Sequence, residues 1–283
     1  MWVLIQVNLS ETIMKILTSL FIIIIFTHSS ADASVISKKL QTINKNSFEI
    51  EHSTFDKNKP IILFLAGLGN KGNQINQIRD EFSDAKLNLF TFSRHENPCD
   101  SFRTCISNVS RRVKTRQIII SNKGAKSSLE DIFENEITAT INYIIQNHEY
   151  NKTKGIFLIG SSYGSWLSLT TLNSNFREHI KGIIFLSPVV APHKSSGKYK
   201  NEINKFNEYT EINTDIPILA VGSQKDEIWP GVTTLDAAKF LYKKISAKSM
   251  LIDSNSQKHA NKLLLDDHQI KRKIIDWLQD NSK

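Results

Sequence analysis

Hydrophobic residues in this chain are grouped into short continuous runs that alternate with longer segments of helical periodicity. The runs contain few polar positions, whereas a strand with one face in water would alternate apolar and polar residues. The pattern therefore predicts parallel strands that are covered on both faces. The predicted strands are residues 61–67, 87–93, 155–160, 181–187, 216–222 and 249–253.

Between these runs, apolar residues recur at spacings of three and four, which is typical of helices with one buried face. The segment 128–148 has Ile137, Ile141 and Ile144 on one such face, and Ser128 followed by Asp131 forms a loose capping box at its start. The predicted helices are residues 73–82, 128–148, 165–174, 234–245 and 266–280. Residues 39–55 are predicted to form an antiparallel hairpin at the edge of the sheet.

This alternation predicts an α/β fold with a mostly parallel central sheet covered by helices on both faces. We expect residues 34–283 to form a single domain, because no internal repeat and no linker rich in Pro or Gly interrupts them. Two segments depart from the alternation: residues 94–127, a long insertion with a further candidate strand at 116–121, and residues 189–214, a polar excursion. Long insertions in compact domains tend to be lids or binding loops.

Residues 1–33 have the features of a secretory signal peptide. From Met14 onward, one lysine precedes an apolar run at 16–26, and small residues end at Ala33, where cleavage is expected. Because residues 1–13 contain no Lys or Arg, a start at Met14 is a second interpretation. A membrane anchor is the alternative, but a run of about 11 residues is short for a bilayer span. The sequence thus predicts export to the periplasm or the medium, with no stable transmembrane anchor.

Export changes how the two cysteines are interpreted. Cys99 and Cys105 lie in the 94–127 insertion with five residues between them. An oxidising compartment favours a disulfide between them, and two free thiols are the alternative. A metal site is not expected here, since neither the C-x-x-C spacing nor a His-rich partner segment is present.

The same insertion is strongly basic in a chain whose net charge is +8. Between Arg94 and Lys126 there are eight Lys or Arg residues and two acidic residues. Such a segment is either a solvated face or a binding site for an anionic surface. Neither interleaved aromatic residues nor a nucleic-acid-binding motif accompanies it, so nucleic acid is not an expected partner.

The segment Gly160-Ser161-Ser162-Tyr163-Gly164 lies between a predicted strand and a predicted helix. A serine with glycines two positions before and after it, in this context, resembles the nucleophile elbow of the α/β-hydrolases. Such a turn presents the hydroxyl at the carboxyl edge of the sheet, beside a helix N-terminus. The alternative is a tight turn that simply prefers small residues. The resemblance covers about residues 58–280 and implies the α/β-hydrolase fold, with Ser162 as nucleophile.

The resemblance also implies an acid and then a histidine after the nucleophile in the chain. Asp226 follows an apolar strand that ends in glycine, and His259 lies in a polar loop between the last predicted strand and the last predicted helix. We interpret Asp226 as the orienting acid and His259 as the base. The rivals for these roles and for the nucleophile are Asp253, Glu227, His193, His268 and Ser161.

The family takes two backbone N–H groups as donors to the developing oxyanion. In this chain they correspond to Tyr163, directly after the nucleophile, and Leu68, in the loop after the first central strand. Ala66-Gly67 stands where many relatives have His-Gly, but a backbone donor does not depend on that side chain. The resemblance implies hydrolysis of a small-molecule ester through an acyl-enzyme, without a metal or organic cofactor.

The same fold and residues also serve other activities. A serine aminopeptidase-like enzyme, an acyltransferase, or a non-catalytic protein that binds through the basic insertion is each an alternative. The polar character of residues 189–214 favours a small or polar acyl group over a long apolar one.

Gly67, Gly69 and Gly72 form a second glycine pattern, G-x-G-x-x-G, after a predicted strand. A dinucleotide site requires an acidic residue at the end of the next strand, whereas Ser93 and Arg94 stand there. Export from the cytoplasm also argues against NAD(P) as a ligand.

Overall fold

The predicted signal peptide at residues 1–33 precedes the part of the chain that the structure describes. The computed structural model describes residues 35–41, 47–52, 56–67, 72–85, 87–93, 125–147, 150–162, 164–189, 215–229, 231–245 and 248–283. Cys99 and Cys105, the candidate strand 116–121 and nearly all of the 189–214 excursion lie outside these ranges. The disulfide and the signal peptide therefore stay predictions.

All six apolar runs predicted as strands lie in one eight-stranded sheet, which two further strands from the hairpin at its edge complete. Its strands are β1 (Ile36–Gln41), β2 (Ser47–His52), β3 (Ile61–Leu65), β4 (Asn88–Ser93), β5 (Ile156–Ser161), β6 (Ile180–Leu186), β7 (Ile218–Gly222) and β10 (Ser249–Asp253). The spatial order is β1-β2-β4-β3-β5-β6-β7-β10. The six strands from β4 to β10 are parallel, and the β1–β2 hairpin adds the antiparallel edge that was predicted within 39–55.

In the described part of the chain, helices come after the parallel strands β3, β4, β5, β7 and β10. They are α1 (Gly72–Asp84), α2 (Ala125–Asn147), α3 (Gly164–Leu172), α4 (Thr234–Lys244), α5 (Asn261–Asp266) and α6 (His268–Asn281). Helix α2 begins at Ala125, so the last residues of the predicted insertion belong to its first turn. The helix predicted at 266–280 is preceded by the separate short helix α5. Asp267 divides the two, because its carboxylate accepts hydrogen bonds from the N–H groups of Gln269 and Ile270 and so caps α6.

Two hydrophobic layers cover the sheet. Residues of α2, α3 and α4 pack on one face, and residues of α1, α5 and α6 pack on the other. Strand β5 contributes to both layers, since Ile156 and Leu158 point to the first and Phe157 and Ile159 to the second. This confirms the predicted architecture. Within the described ranges, no helix combines the length and apolarity needed to cross a bilayer.

Candidate active site

Ser162 lies at a sharp turn directly after the carboxyl end of β5. Its φ angle is 54°, in the left-handed region that non-glycine residues rarely adopt. The turn is held by its neighbours: the Ser162 N–H donates to the Leu186 carbonyl at 2.9 Å, and the Ser165 N–H donates to the Ser162 carbonyl at 3.0 Å. Strain of this kind is typical of a nucleophile elbow.

The two glycines of the motif are required by close packing. A Cβ atom on Gly160 would lie 2.6 Å from the Gly164 carbonyl oxygen, and a Cβ on Gly164 would overlap the Leu65 carbonyl. Any side chain at either position would push α3 away from β5 and β3. The glycines therefore let the helix begin close enough to the sheet for the turn at Ser162 to form.

The His259 imidazole connects the other two candidate residues. Its Nε2 atom lies 2.9 Å from the Ser162 Oγ, and its Nδ1 atom lies 2.8 Å from the Asp226 Oδ2. The Asp226 side chain is 8% exposed and the His259 side chain 40%. The Asp226 carboxylate is thus buried, whereas the His259 ring that it contacts is partly exposed to solvent. All three predicted side chains form one hydrogen-bonded chain.

The loop after β7 fixes the position of Asp226. The Ser223 N–H donates to the Thr234 Oγ1 at 3.0 Å, and the Thr234 N–H donates to the Asp226 carbonyl at 2.8 Å. A short antiparallel hairpin, β8 (Glu227–Trp229) and β9 (Val232–Thr233), connects this loop to α4. The aspartate is therefore anchored through its backbone at the start of α4 as well as through its carboxylate.

The rival residues that the structure describes lie in other environments. Glu227 is exposed, and its carboxylate accepts the Gly231 N–H at 2.6 Å. Asp253 is exposed as well, and its carboxylate accepts the Asn255 N–H at 3.0 Å. His268 is an exposed residue in the first turn of α6. His193 lies outside the described residues.

Two buried hydrogen bonds near the candidate site involve Ser187 and Asn261, which no sequence motif had indicated, and Ser161, which had been considered only as a rival nucleophile. The Ser161 hydroxyl donates to the Asn261 Oδ1 at 2.8 Å, and the Ala260 N–H donates to the Ser187 Oγ at 2.9 Å. Ser161 and Ser187 are fully buried. Serine and asparagine occur at many loop and strand ends, so their identity alone carried no signal.

Leu68 and Tyr163, the expected oxyanion donors, lie outside the described residues. Gly67, directly before Leu68, packs against the elbow: a Cβ atom there would be 2.7 Å from the Ser162 Cβ and 3.3 Å from its Oγ. The loop after β3 therefore starts beside the Ser162 hydroxyl. In the described part of the chain, no group of three or more His, Cys, Asp or Glu side chains is arranged to hold a metal ion.

The parallel sheet, the elbow after β5 and the histidine loop after β10 together define the α/β-hydrolase fold, as the resemblance implied. Residues 140–262, which contain all three candidate side chains, match the model of a family described as serine hydrolase. This match supports serine hydrolase activity at the level of the family. No curated protein is similar enough in sequence to be matched to the chain.

Solved structures share this fold at low sequence identity. An esterase from Pyrococcus furiosus is 11% identical, with a TM-score of 0.58 over 89% of this chain and 92% of its own. The esterase domain of a Rhodothermus marinus protein is 10% identical, with a TM-score of 0.59 over 88% of this chain and 100% of its own. A dienelactone hydrolase from Anabaena variabilis is 10% identical, with a TM-score of 0.57 over 87% and 97%. At these identities the similarity establishes the fold.

Proposed function

We propose that this protein is a serine hydrolase that cleaves an ester bond in a small molecule through an acyl-enzyme on Ser162. The observation that carries the proposal is the hydrogen-bonded chain from the Ser162 Oγ through His259 to Asp226, at 2.9 Å and 2.8 Å. Distances of this kind are those required for proton transfer between a nucleophile and its base.

Each side chain has a distinct task in this reaction. The Ser162 Oγ attacks the ester carbonyl carbon while the His259 Nε2 accepts its proton. The buried Asp226 carboxylate accepts the Nδ1–H, which holds the imidazole in the required tautomer and stabilises the imidazolium. The imidazolium then protonates the departing alcohol. Water, activated by the same nitrogen, attacks the acyl-enzyme and releases the carboxylic acid.

The negative charge of the tetrahedral intermediate requires backbone donors near the Ser162 Oγ. We assign this role to the N–H groups of Tyr163 and Leu68. Two observations support the assignment: helix α3 begins at Gly164, directly after Tyr163, and Gly67 packs on the Ser162 side chain. A helix N-terminus also favours an anion placed beside it.

The ester class is proposed because the site is suited to acyl transfer and because two solved structures with the same fold are esterases. A short or polar acyl group is favoured by the polar sequence of residues 189–214. Turnover of p-nitrophenyl acetate and butyrate should therefore exceed turnover of long-chain esters. Faster hydrolysis of the long-chain esters would contradict the preference. Aminoacyl substrates and transfer to an added alcohol separate a peptidase and an acyltransferase from an esterase.

A fluorophosphonate probe tests the chemistry directly. The wild-type protein should be labelled once, and Ser162→Ala should not be labelled at all. Ser174→Ala is the matched control, because Ser174 lies beyond the end of α3 and its hydroxyl donates to the Thr171 carbonyl. It should be labelled like the wild type. A wild-type protein that reacts neither with the probe nor with any ester would refute the proposal and favour a binding protein.

We further propose that the enzyme is exported and carries a Cys99–Cys105 disulfide. The support is the sequence: the apolar run with small residues ending at Ala33, and the spacing of the two cysteines. N-terminal sequencing of the secreted product should begin at Ser34. An assay of free thiols should find none before reduction and two after it. A retained N-terminus or two free thiols would contradict the respective proposal.

A further inference from the structure

The loop that carries His259 is attached to the sheet at two buried points. It comprises residues 254–260, between β10 and α5. At its end, the Ala260 N–H donates to the Ser187 Oγ, and the next residue, Asn261, accepts the Ser161 hydroxyl. Asn261 is 2% exposed and Ser161 is 0% exposed. Hydrogen bonds at such positions are strengthened by the low local dielectric.

The backbone at Ala260 is in an unusual conformation. Its φ angle is 53° and its ψ angle is −119°, a combination that costs a non-glycine residue free energy. Such a conformation persists only where the surrounding contacts determine it. Ala260 lies between His259, whose ring contacts Ser162, and Asn261, whose buried side chain accepts the Ser161 hydroxyl.

The Ser161–Asn261 contact and the Ser162–His259 contact join the same two segments of the chain. Ser161 directly precedes Ser162, and Asn261 lies two residues after His259. Alternation along β5 places Ser161 on the same face as Phe157 and Ile159, where α5 packs. The Ser161–Asn261 bond therefore joins the residue before the nucleophile to the residue two after the base. It connects the two segments through a buried contact that is separate from the His259–Ser162 contact.

We propose that Ser161 and Asn261, together with Ser187, are positioning residues that hold the His259 imidazole within reach of the Ser162 Oγ. This inference rests on the proposed hydrolytic function. The His259 side chain is 40% exposed and is carried by a loop, so packing around the ring alone leaves it room to move. A displacement of about 1 Å in a reacting group can cost about a hundredfold in rate.

The test is steady-state kinetics on a short-chain p-nitrophenyl ester, with active sites counted by fluorophosphonate titration. Ser161→Ala should lower kcat per titrated site by about ten- to a hundredfold and leave KM unchanged. Asn261→Ala should do the same. The double variant should be no slower than the slower single variant, since both changes remove the same Ser161–Asn261 hydrogen bond. Ser161→Cys, which keeps a weak donor of similar size, should recover part of the rate.

Thr171→Val is the matched control. The Thr171 hydroxyl is also buried and donates to the Leu167 carbonyl within α3, so its loss removes a comparable hydrogen bond away from the histidine loop. This variant should show a similar loss of thermal stability with an unchanged kcat. An equal fall of kcat in Thr171→Val would overturn the inference, because general destabilisation would then explain the effect.

Other outcomes are equally decisive. Wild-type kcat in Ser161→Ala, or rate losses that add in the double variant, would refute the positioning role while leaving the hydrolytic function intact. If Ser161→Ala does not fold, Ser187→Ala removes the second attachment and is assayed in the same way, and an unchanged kcat again refutes the role. Failure of the proposed function is distinct, since the wild-type protein itself would then neither hydrolyse esters nor react with the probe.

Discussion

Gly67→Ala is the change whose effect on the proposed reaction follows most directly from the structure. A Cβ atom at this position would lie 2.7 Å from the Ser162 Cβ, 2.8 Å from the Ser161 carbonyl oxygen and 3.3 Å from the Ser162 Oγ. Carbon atoms in contact normally lie about 3.5–4.0 Å apart. The added methyl group therefore requires a movement of about 1 Å.

We expect the Ser162 side chain to move rather than the Ser161 carbonyl. The Ser161 carbonyl belongs to a central strand and has little freedom, whereas the Ser162 side chain at the turn can shift. Overpacking of this kind costs about 1–3 kcal/mol of stability. A shift of about 1 Å between Ser162 and its base is expected to lower kcat by up to about a hundredfold, which corresponds to about 2.7 kcal/mol in the activation barrier.

The assay compares kcat per titrated site with the free energy of unfolding in urea. Gly231→Ala is the control: its φ is +77° and nothing lies within 4 Å of the added Cβ, so it introduces backbone strain without crowding. It should cost about 1–2 kcal/mol of stability and leave kcat unchanged. Wild-type kcat in a folded Gly67→Ala protein would show that the loop after β3 does not press on the nucleophile.

Three further predictions concern charge. Asp226→Asn should lower kcat by about 10⁴-fold in steady-state assays, because the amide favours the wrong imidazole tautomer, whereas Glu227→Gln at an exposed position should leave kcat unchanged. Burial, and secondly the Glu178 charge, raise the pKa of Tyr150 to about 12, so the contribution of Tyr150 to stability should be complete below pH 10 and fall between about pH 10 and 12. In urea titrations, the free energy of unfolding of the wild type should fall relative to that of Tyr150→Phe over this pH range. Burial lowers the pKa of His179, so stability should fall as pH drops below about 6.5, and His179→Gln should remove that dependence.

The centre of the sheet could be predicted from the sequence because its strands are buried on both faces, whereas the predicted run 249–253 forms the edge strand β10 and leaves Met250 exposed. A strand such as Ile61–Leu65 is entirely apolar and entirely buried, so the apolar run and the structural element coincide. The short elements were missed for the opposite reason. Strands β8 and β9 have three and two residues, and helix α5 has six, so none is long enough to show a period. The predicted helix 266–280 included Asp267, which instead caps the N-terminus of α6.

In the candidate site, the three main side chains could be predicted from the sequence, but one supporting contact could not. Ser162 belongs to a local motif, and Asp226 and His259 followed from the order of strands and loops, so all three could be nominated and the structure brings them together. The Ser161–Asn261 contact could not be predicted, because 100 residues separate its partners and neither residue type specifies a partner. Long-range polar contacts of this kind become visible only when the sheet order is known.

That order also explains why the histidine loop needs attachment. Ser162 follows β5, Asp226 follows β7 and His259 follows β10, and these carboxyl ends share one edge of the sheet. Three strand spacings, about 14 Å, separate β10 from β5, so the loop at 254–260 must cross back over two strands to bring the imidazole to Ser162. Its fixed points are Ser187, after β6, and Ser161, at the end of β5. One attachment therefore lies just after the last strand that the loop crosses, and the other lies on the strand that carries Ser162, next to the position that the imidazole must reach.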